Sequence, residues 1–138
     1  MTRWAAAVIL SICLALGGGA QVLASTSSEK EKAFTEKAAK DYLQSGLVLA
    51  AEGRDAEAVQ AFRRAVATKP DWAEAHSLLG SALARDGKYA EAQAELQKAV
   101  QLKPDYAEGW NYLGEFYKDR AKEKEAQEAF QKAKQLAR

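Results

Sequence analysis

Thr68-Lys69-Pro70-Asp71-Trp72-Ala73-Glu74 and Leu102-Lys103-Pro104-Asp105-Tyr106-Ala107-Glu108 are one phrase written twice, 34 residues apart, and they hold both prolines of the chain. The same shift superposes Gly46, Gly80 and Gly114, and then Ala58, Ala92 and Ala126. Phe62, Leu96 and Phe130 fall together, as do Ala65, Ala99 and Ala133, and Gly53 matches Gly87. A period between about 20 and 50 residues marks a protein built of stacked supersecondary units.

Each unit reads as two helices. Positions 76, 79, 80 and 83 follow the i, i+3, i+4, i+7 pattern of a single helix face, and Ala92, Leu96 and Ala99 do the same on the next helix. Glycine and alanine at the crossing let two backbones approach, with a large side chain filling the space beside them. Gly53 and Gly87 suit a left-handed cap after the first helix of their units. Ala121 replaces that glycine in the third unit, so its turn is expected to differ or to be strained. Pro70 and Pro104 stop the second helix, and Asp71 and Asp105 are placed to cap the helix that follows. The pattern predicts helices over about 39–52, 55–68, 72–85, 89–102, 106–119 and 122–137. Ser28-Glu29-Lys30-Glu31 has the form of a capping box, and neither Gly nor Pro occurs between Ser28 and Gly46. The first helix is therefore expected to begin near Glu29, or to be preceded by a short separate helix, after a flexible lead at Ser25–Ser28. With 138 residues, only 2 Pro and 9 Gly, and Ala, Glu, Lys, Gln and Leu dominant, the composition favours helix over sheet.

These residues resemble the tetratricopeptide repeat, a helix–turn–helix unit. The third unit carries the resemblance most closely with Trp110, Leu113, Gly114, Tyr117, Ala126, Phe130 and Ala133. The second has His76, Leu79, Gly80, Leu83, Ala92, Leu96, Ala99 and Pro104; the first has Tyr42, Gly46, Leu49, Ala58, Phe62, Ala65 and Pro70, with Ser45 where Leu is usual. The resemblance covers 39–138 and divides it into units at 39–72, 73–106 and 107–138, behind an N-terminal lead and helix extension at 25–38. It implies an all-α fold, an α-solenoid of three helix–turn–helix repeats in a right-handed superhelix.

Residues 1–24 read as a different kind of segment. They hold Arg3 as their only charged residue, an apolar run from Trp4 to Leu16, three consecutive glycines, and Val22-Leu23-Ala24 before Ser25. A basic start, an apolar stretch of about 13 residues and a small-residue exit are the parts of a secretory signal. The alternative is a retained anchor through residues 4–24, since a span needs about 20 apolar residues. Either way the expected location is the periplasm or the exterior, or a membrane anchorage facing the periplasm. Cys13, the one cysteine, lies inside this segment, so the mature chain has no disulfide. Cleavage removes one of 20 basic residues and none of 19 acidic ones, leaving a formally neutral chain.

That balance argues against nucleic acid as a partner, because tracking phosphates takes a basic excess. One His, one Cys and one Met cannot build a metal centre, and no phosphate loop, paired-His motif or calcium loop is present, so no cofactor or metal is expected. His76 shares its position with Tyr42 and Trp110 and reads as a packing residue, which leaves no catalytic residue and no enzyme.

The resemblance implies binding instead, in a concave groove lined by the first helix of each unit. Carried onto this chain, the groove stripe is Lys40, Leu43, Leu47 and Ala50, then Glu74, Ser77, Ser81 and Ala84, then Glu108, Asn111, Glu115 and Lys118. Family members that bind chaperone tails hold a terminal carboxylate with Lys, Asn and Arg; the matching places here are Leu43, Leu47, Leu78, Glu108 and Tyr112, so that clamp is absent. The groove runs from apolar to acidic, which suits an apolar segment with a basic flank. The reading is a non-catalytic adaptor or scaffold of the cell envelope that binds a protein or peptide segment. The alternative is a self-associating subunit, a homo-oligomer stacking through a C-terminal edge at Tyr112 and Phe116, left uncovered where no capping helix follows.

Overall fold

The computed structural model describes the backbone of residues 3–138 and the side chains of residues 26–138. The elements are all helices: α1 (Arg3–Ala51), α2 (Asp55–Thr68), α3 (Ala73–Arg85), α4 (Tyr89–Leu102), α5 (Ala107–Asp119) and α6 (Glu123–Leu136). From α2 onward each lies within a residue or so of its expected bounds. Two compact units divide the chain, Met1–Thr35 and Glu36–Arg138. In the first, Thr35 donates from Oγ1 to the Lys32 carbonyl at 2.9 Å, and Phe34 is exposed.

The start of α1 departs from the sequence reading. No break occurs at Ser25–Ser28 and no new helix begins at Glu29. A capping box marks a helix start only where the chain before it is not already helical. No Gly or Pro lies between Ala20 and Ser28 to interrupt the helix, so Ser28 is an interior residue. The reading of 1–24 as a signal or anchor falls outside the described side chains. Among the described residues no helix is long and apolar enough to cross a membrane.

The second unit is three helical hairpins. Each has a glycine on its first helix pressed against a large side chain of its second: Gly46 on Phe62, Gly80 on Leu96 and Gly114 on Phe130. A β-carbon at Gly80 would stand 2.6 Å from Leu96 Cγ and 3.1 Å from the Ala92 carbonyl oxygen. Only glycine fits that crossing. Leu43, Phe62, Leu79, Leu83, Leu96, Leu113, Phe116 and Tyr117 form one core continuous through the three hairpins.

The turns repeat as faithfully as the core. Gly53 and Gly87 have φ of 75° and 81°, and the amides of Arg54 and Lys88 bond back to the carbonyls of Leu49 and Leu83. Ala121 adopts the same left-handed backbone, φ 57°, with Lys122 bonded back to Tyr117. The third turn is therefore strained rather than different. Between hairpins, Lys69 and Lys103 are held extended by the proline that follows, and Trp72 and Tyr106 bond back to them across tight turns. This displaces the expected caps. Asp71 and Asp105 are consumed as central turn residues, so Trp72 and Tyr106 occupy the cap position and no side chain caps either helix.

Successive hairpins dock mainly by the second helix of one against the first helix of the next, α2 on α3 and α4 on α5. α3 packs directly on α5, whereas α4 and α6 share no comparable packing. Arg85 ties the second hairpin to the first, donating from Nη2 to the Ala50 carbonyl at 2.9 Å and pairing with Asp55 Oδ1 at 2.7 Å. The α3–α5 packing, with none comparable between α4 and α6, puts the first helices of these two hairpins on the inner side of the stack.

Candidate functional site

The inner face is defined by what the second helices leave uncovered. On α5, Gly114 faces α6 while Leu113, Phe116 and Tyr117 join the core, so the exposed stripe is Glu108, Asn111, Glu115 and Lys118. On α3 the equivalent stripe exposes Glu74 and half-buries Ser81 and Ala84. On α1 it exposes Lys40 and Leu47, with Ala50 half-buried. A depression of about 240 Å³ lies along α5, lined by Glu108, Asn111, Tyr112 and Glu115.

Two of the expected groove residues are not available there. Leu43 is only 8% exposed and belongs to the core, and Ser77 is fully buried. Leu43, Ser77 and Asn111 share one repeat position, and that position faces the next hairpin. Ser77 lies under the start of α5, 3.5 Å from the Tyr106 hydroxyl and hydrogen-bonded to the Glu74 carbonyl at 2.9 Å. Burial raises the Tyr106 pKa above its ordinary value. Asn111 has no hairpin beyond it among the described residues and is exposed.

The expected association edge is corrected in the same way. Phe116 is 6% exposed and Tyr112 half-buried. Phe116 shares its repeat position with Val48 and Ala82, and that position points back toward the preceding hairpin. It packs edge-on against Tyr117, and with Ala84, Arg85 and Tyr89 it lines the junction with the second hairpin. Val48, with no hairpin before it among the described residues, is 48% exposed.

A family model of the TPR repeat matches residues 46–87 and 80–119, across the second hairpin and parts of the other two. The chain belongs to the tetratricopeptide repeat family. No curated protein matches the sequence significantly. Among solved structures of the same fold, the second TPR of Spaghetti (RPAP3), bound to the HSP90 peptide SRMEEVD, is 22% identical with a TM-score of 0.69. That alignment covers 77% of this chain and 98% of the other. The Sgt2 TPR domain from Aspergillus fumigatus is likewise 22% identical at a TM-score of 0.69, over 72% of this chain and 66% of that one. MamA 41-end from Desulfovibrio magneticus RS-1 is 29% identical at a TM-score of 0.65, over 70% of this chain and 54% of its own length. The chain thus spans little more than half of that MamA.

The electrostatics of this TPR face are one-sided. Lys40 is paired with Glu36 at 3.4 Å. Glu74, Glu108 and Glu115 have no salt-bridge partner among the described residues. Exposed and uncompensated, they give the inner face a negative field that Lys118 meets only at its far end. Among the described residues no cluster of three or more His, Cys, Asp or Glu could hold a metal.

The structure also gives His76 a role its sequence position understated. The imidazole is buried, with Nδ1 2.6 Å from Glu95 Oε2 and Nε2 2.8 Å from the Pro70 carbonyl oxygen. Trp110 repeats the second bond, donating from Nε1 to the Pro104 carbonyl at 2.9 Å. The large residue early in the first helix is thus an N–H donor that closes the inter-repeat turn. The signal was present: a ring N–H donor stands six residues after each proline.

Proposed function

We propose that this protein is a non-catalytic adaptor that holds a basic, partly apolar protein segment on the inner face of its three TPR hairpins. The observation that carries the reading is the row of uncompensated carboxylates, Glu74, Glu108 and Glu115, approached from the apolar end by Leu47. A Lys- or Arg-bearing segment gains charge-assisted bonds along that row while an apolar side chain covers Leu47. A TPR of the same fold holds a peptide, which supports segment binding as a use of this architecture. The partner's charge is opposite to that preferred by a cationic clamp, because Leu43, Leu47, Leu78, Glu108 and Tyr112 stand where clamp residues would be.

The proposal includes export, with residues 1–24 as a signal or anchor and the cell envelope as the place of action. No pair of groups on the inner face is arranged for acid–base or nucleophilic chemistry. The alternative, end-to-end self-association through Tyr112 and Phe116, loses its premise because Phe116 is core. The test is a triple charge reversal, Glu74→Lys, Glu108→Lys and Glu115→Lys, in a tagged full-length chain. Photocrosslinking from Asn111 in the native envelope should trap a partner with the parent chain and lose it with the variant, at unchanged helix content. Equal trapping by both sinks the reading.

A further inference from the structure

The outer side of the stack carries a concavity larger than the depression along α5. α4, α5 and α6 enclose a cleft of about 600 Å³, floored by Val100, Trp110, Leu113 and Tyr117, with Gln97 on one wall and Glu125 on the other.

The repeat supplies its own reference for this cleft. One period earlier, the places of Gln97, Trp110, Glu125 and Ala129 are held by Arg63, His76, Glu91 and Glu95. There Arg63 reaches from α2 to α4 and bonds Glu91, and His76 bonds Glu95. In the later cleft the guanidinium is replaced by a neutral amide, which donates to the Tyr117 hydroxyl at 3.1 Å instead of to Glu125. Ala129, smaller than Glu95, lines the cleft together with the half-buried Trp110. Glu125 and Glu128 line the rim with no salt-bridge partner among the described residues, Lys132 on the same rim included.

We propose that this outer cleft is a second docking site, for a partner segment presenting an arginine beside a bulky apolar side chain. The arginine takes against Glu125 the place that Arg63 takes against Glu91, and the apolar side chain lies over Trp110 and Val100. Arginine fits better than lysine because its planar fork can bond a carboxylate in two places and stack on an indole. An aromatic floor with a charged rim is the make-up of an interface anchor site rather than of an ordinary solvated surface. The site is separate from the inner face, and its occupant does not depend on the reading of that face.

Gln97→Arg tests the idea directly, because it restores the chain's own bridge and closes the cleft from within. Nine-residue phage-displayed peptides are selected on the full-length chain, and the enriched peptides are titrated by calorimetry. The expected result is a consensus of Arg next to a large apolar residue, with affinity at least about tenfold weaker for Gln97→Arg and for Glu125→Gln. The exposed Glu125→Gln guards against a misfolded Gln97→Arg. Glu108→Lys with Glu115→Lys should leave these peptides bound. Failure to enrich any peptide, a consensus without arginine, or affinity indifferent to Gln97→Arg overturns the proposal. Peptides lost only on the inner-face substitutions also overturn it, while supporting the inner-face reading.

Discussion

His76 Nδ1 and Glu95 Oε2 stand 2.6 Å apart across the α3–α4 hairpin, while His76 Nε2 holds the Pro70 carbonyl oxygen at 2.8 Å. Both ring nitrogens therefore face acceptors, which favours the doubly protonated imidazolium. The bond to Glu95 raises the His76 pKa above its ordinary value, with Pro70 adding to it and burial and Lys98 opposing. A raised folded-state pKa gives stability that is complete below the unfolded value, about 6.5, and is lost as pH rises through the folded value. Glu95→Gln should thus cost about 1.5–3 kcal/mol near pH 5.5 and clearly less near pH 9. Denaturant titrations of parent and variant at both values check it; a gap that widens with pH contradicts the assignment.

Gly80→Ala should destabilise more than Gly114→Ala. The added carbon at Gly80 meets a backbone oxygen and the fully buried Leu96, neither free to move. At Gly114 its three nearest neighbours are all atoms of the Phe130 ring, which is half-buried and can swing outward. Overpacking costs about 1–3 kcal/mol, and about 4–8 °C of melting temperature accompanies each kcal/mol in a domain of this size. Equal melting temperatures for the two variants would show that the crossings are looser than the structure has them.

Ala121→Gly should stabilise. An alanine held at φ 57° carries roughly 1–2 kcal/mol of steric cost that glycine does not. Part of that gain is returned through the greater freedom of glycine in the unfolded chain, leaving about 0.5–1 kcal/mol. A thermal melt raised by several degrees is the expected readout, and an unchanged or lowered melt excludes the strain.

Phe116→Ala should cost about 3–5 kcal/mol, the range for emptying a buried aromatic site, and should lower the melting temperature sharply. Tyr112→Ala, at a half-buried position on the inner face, should cost much less. If Phe116→Ala leaves stability intact and alters only association, the residue lies on an open edge after all.

The hairpins and their crossings were legible in the residues alone. Pro70, Pro104, Gly53 and Gly87 act on their own backbone neighbourhood, and a 34-residue period of Gly and Ala against Phe and Leu admits few other packings. Even the strain at Ala121 was legible, because positive φ is a local property. Helix caps were less so, since the tight turn at Pro70 takes Asp71 out of the cap position. Which face of each helix is free depends instead on packing between hairpins. Leu43, Ser77 and Asn111 are equivalent in sequence register, yet the first two lie under the next hairpin and the third does not. Val48 and Phe116 reverse the case, because their position faces the hairpin before. In a stack whose units are alike, exposure depends on which neighbour is present. That is a long-range fact, absent from the repeat pattern, and it separates a groove residue from a core residue.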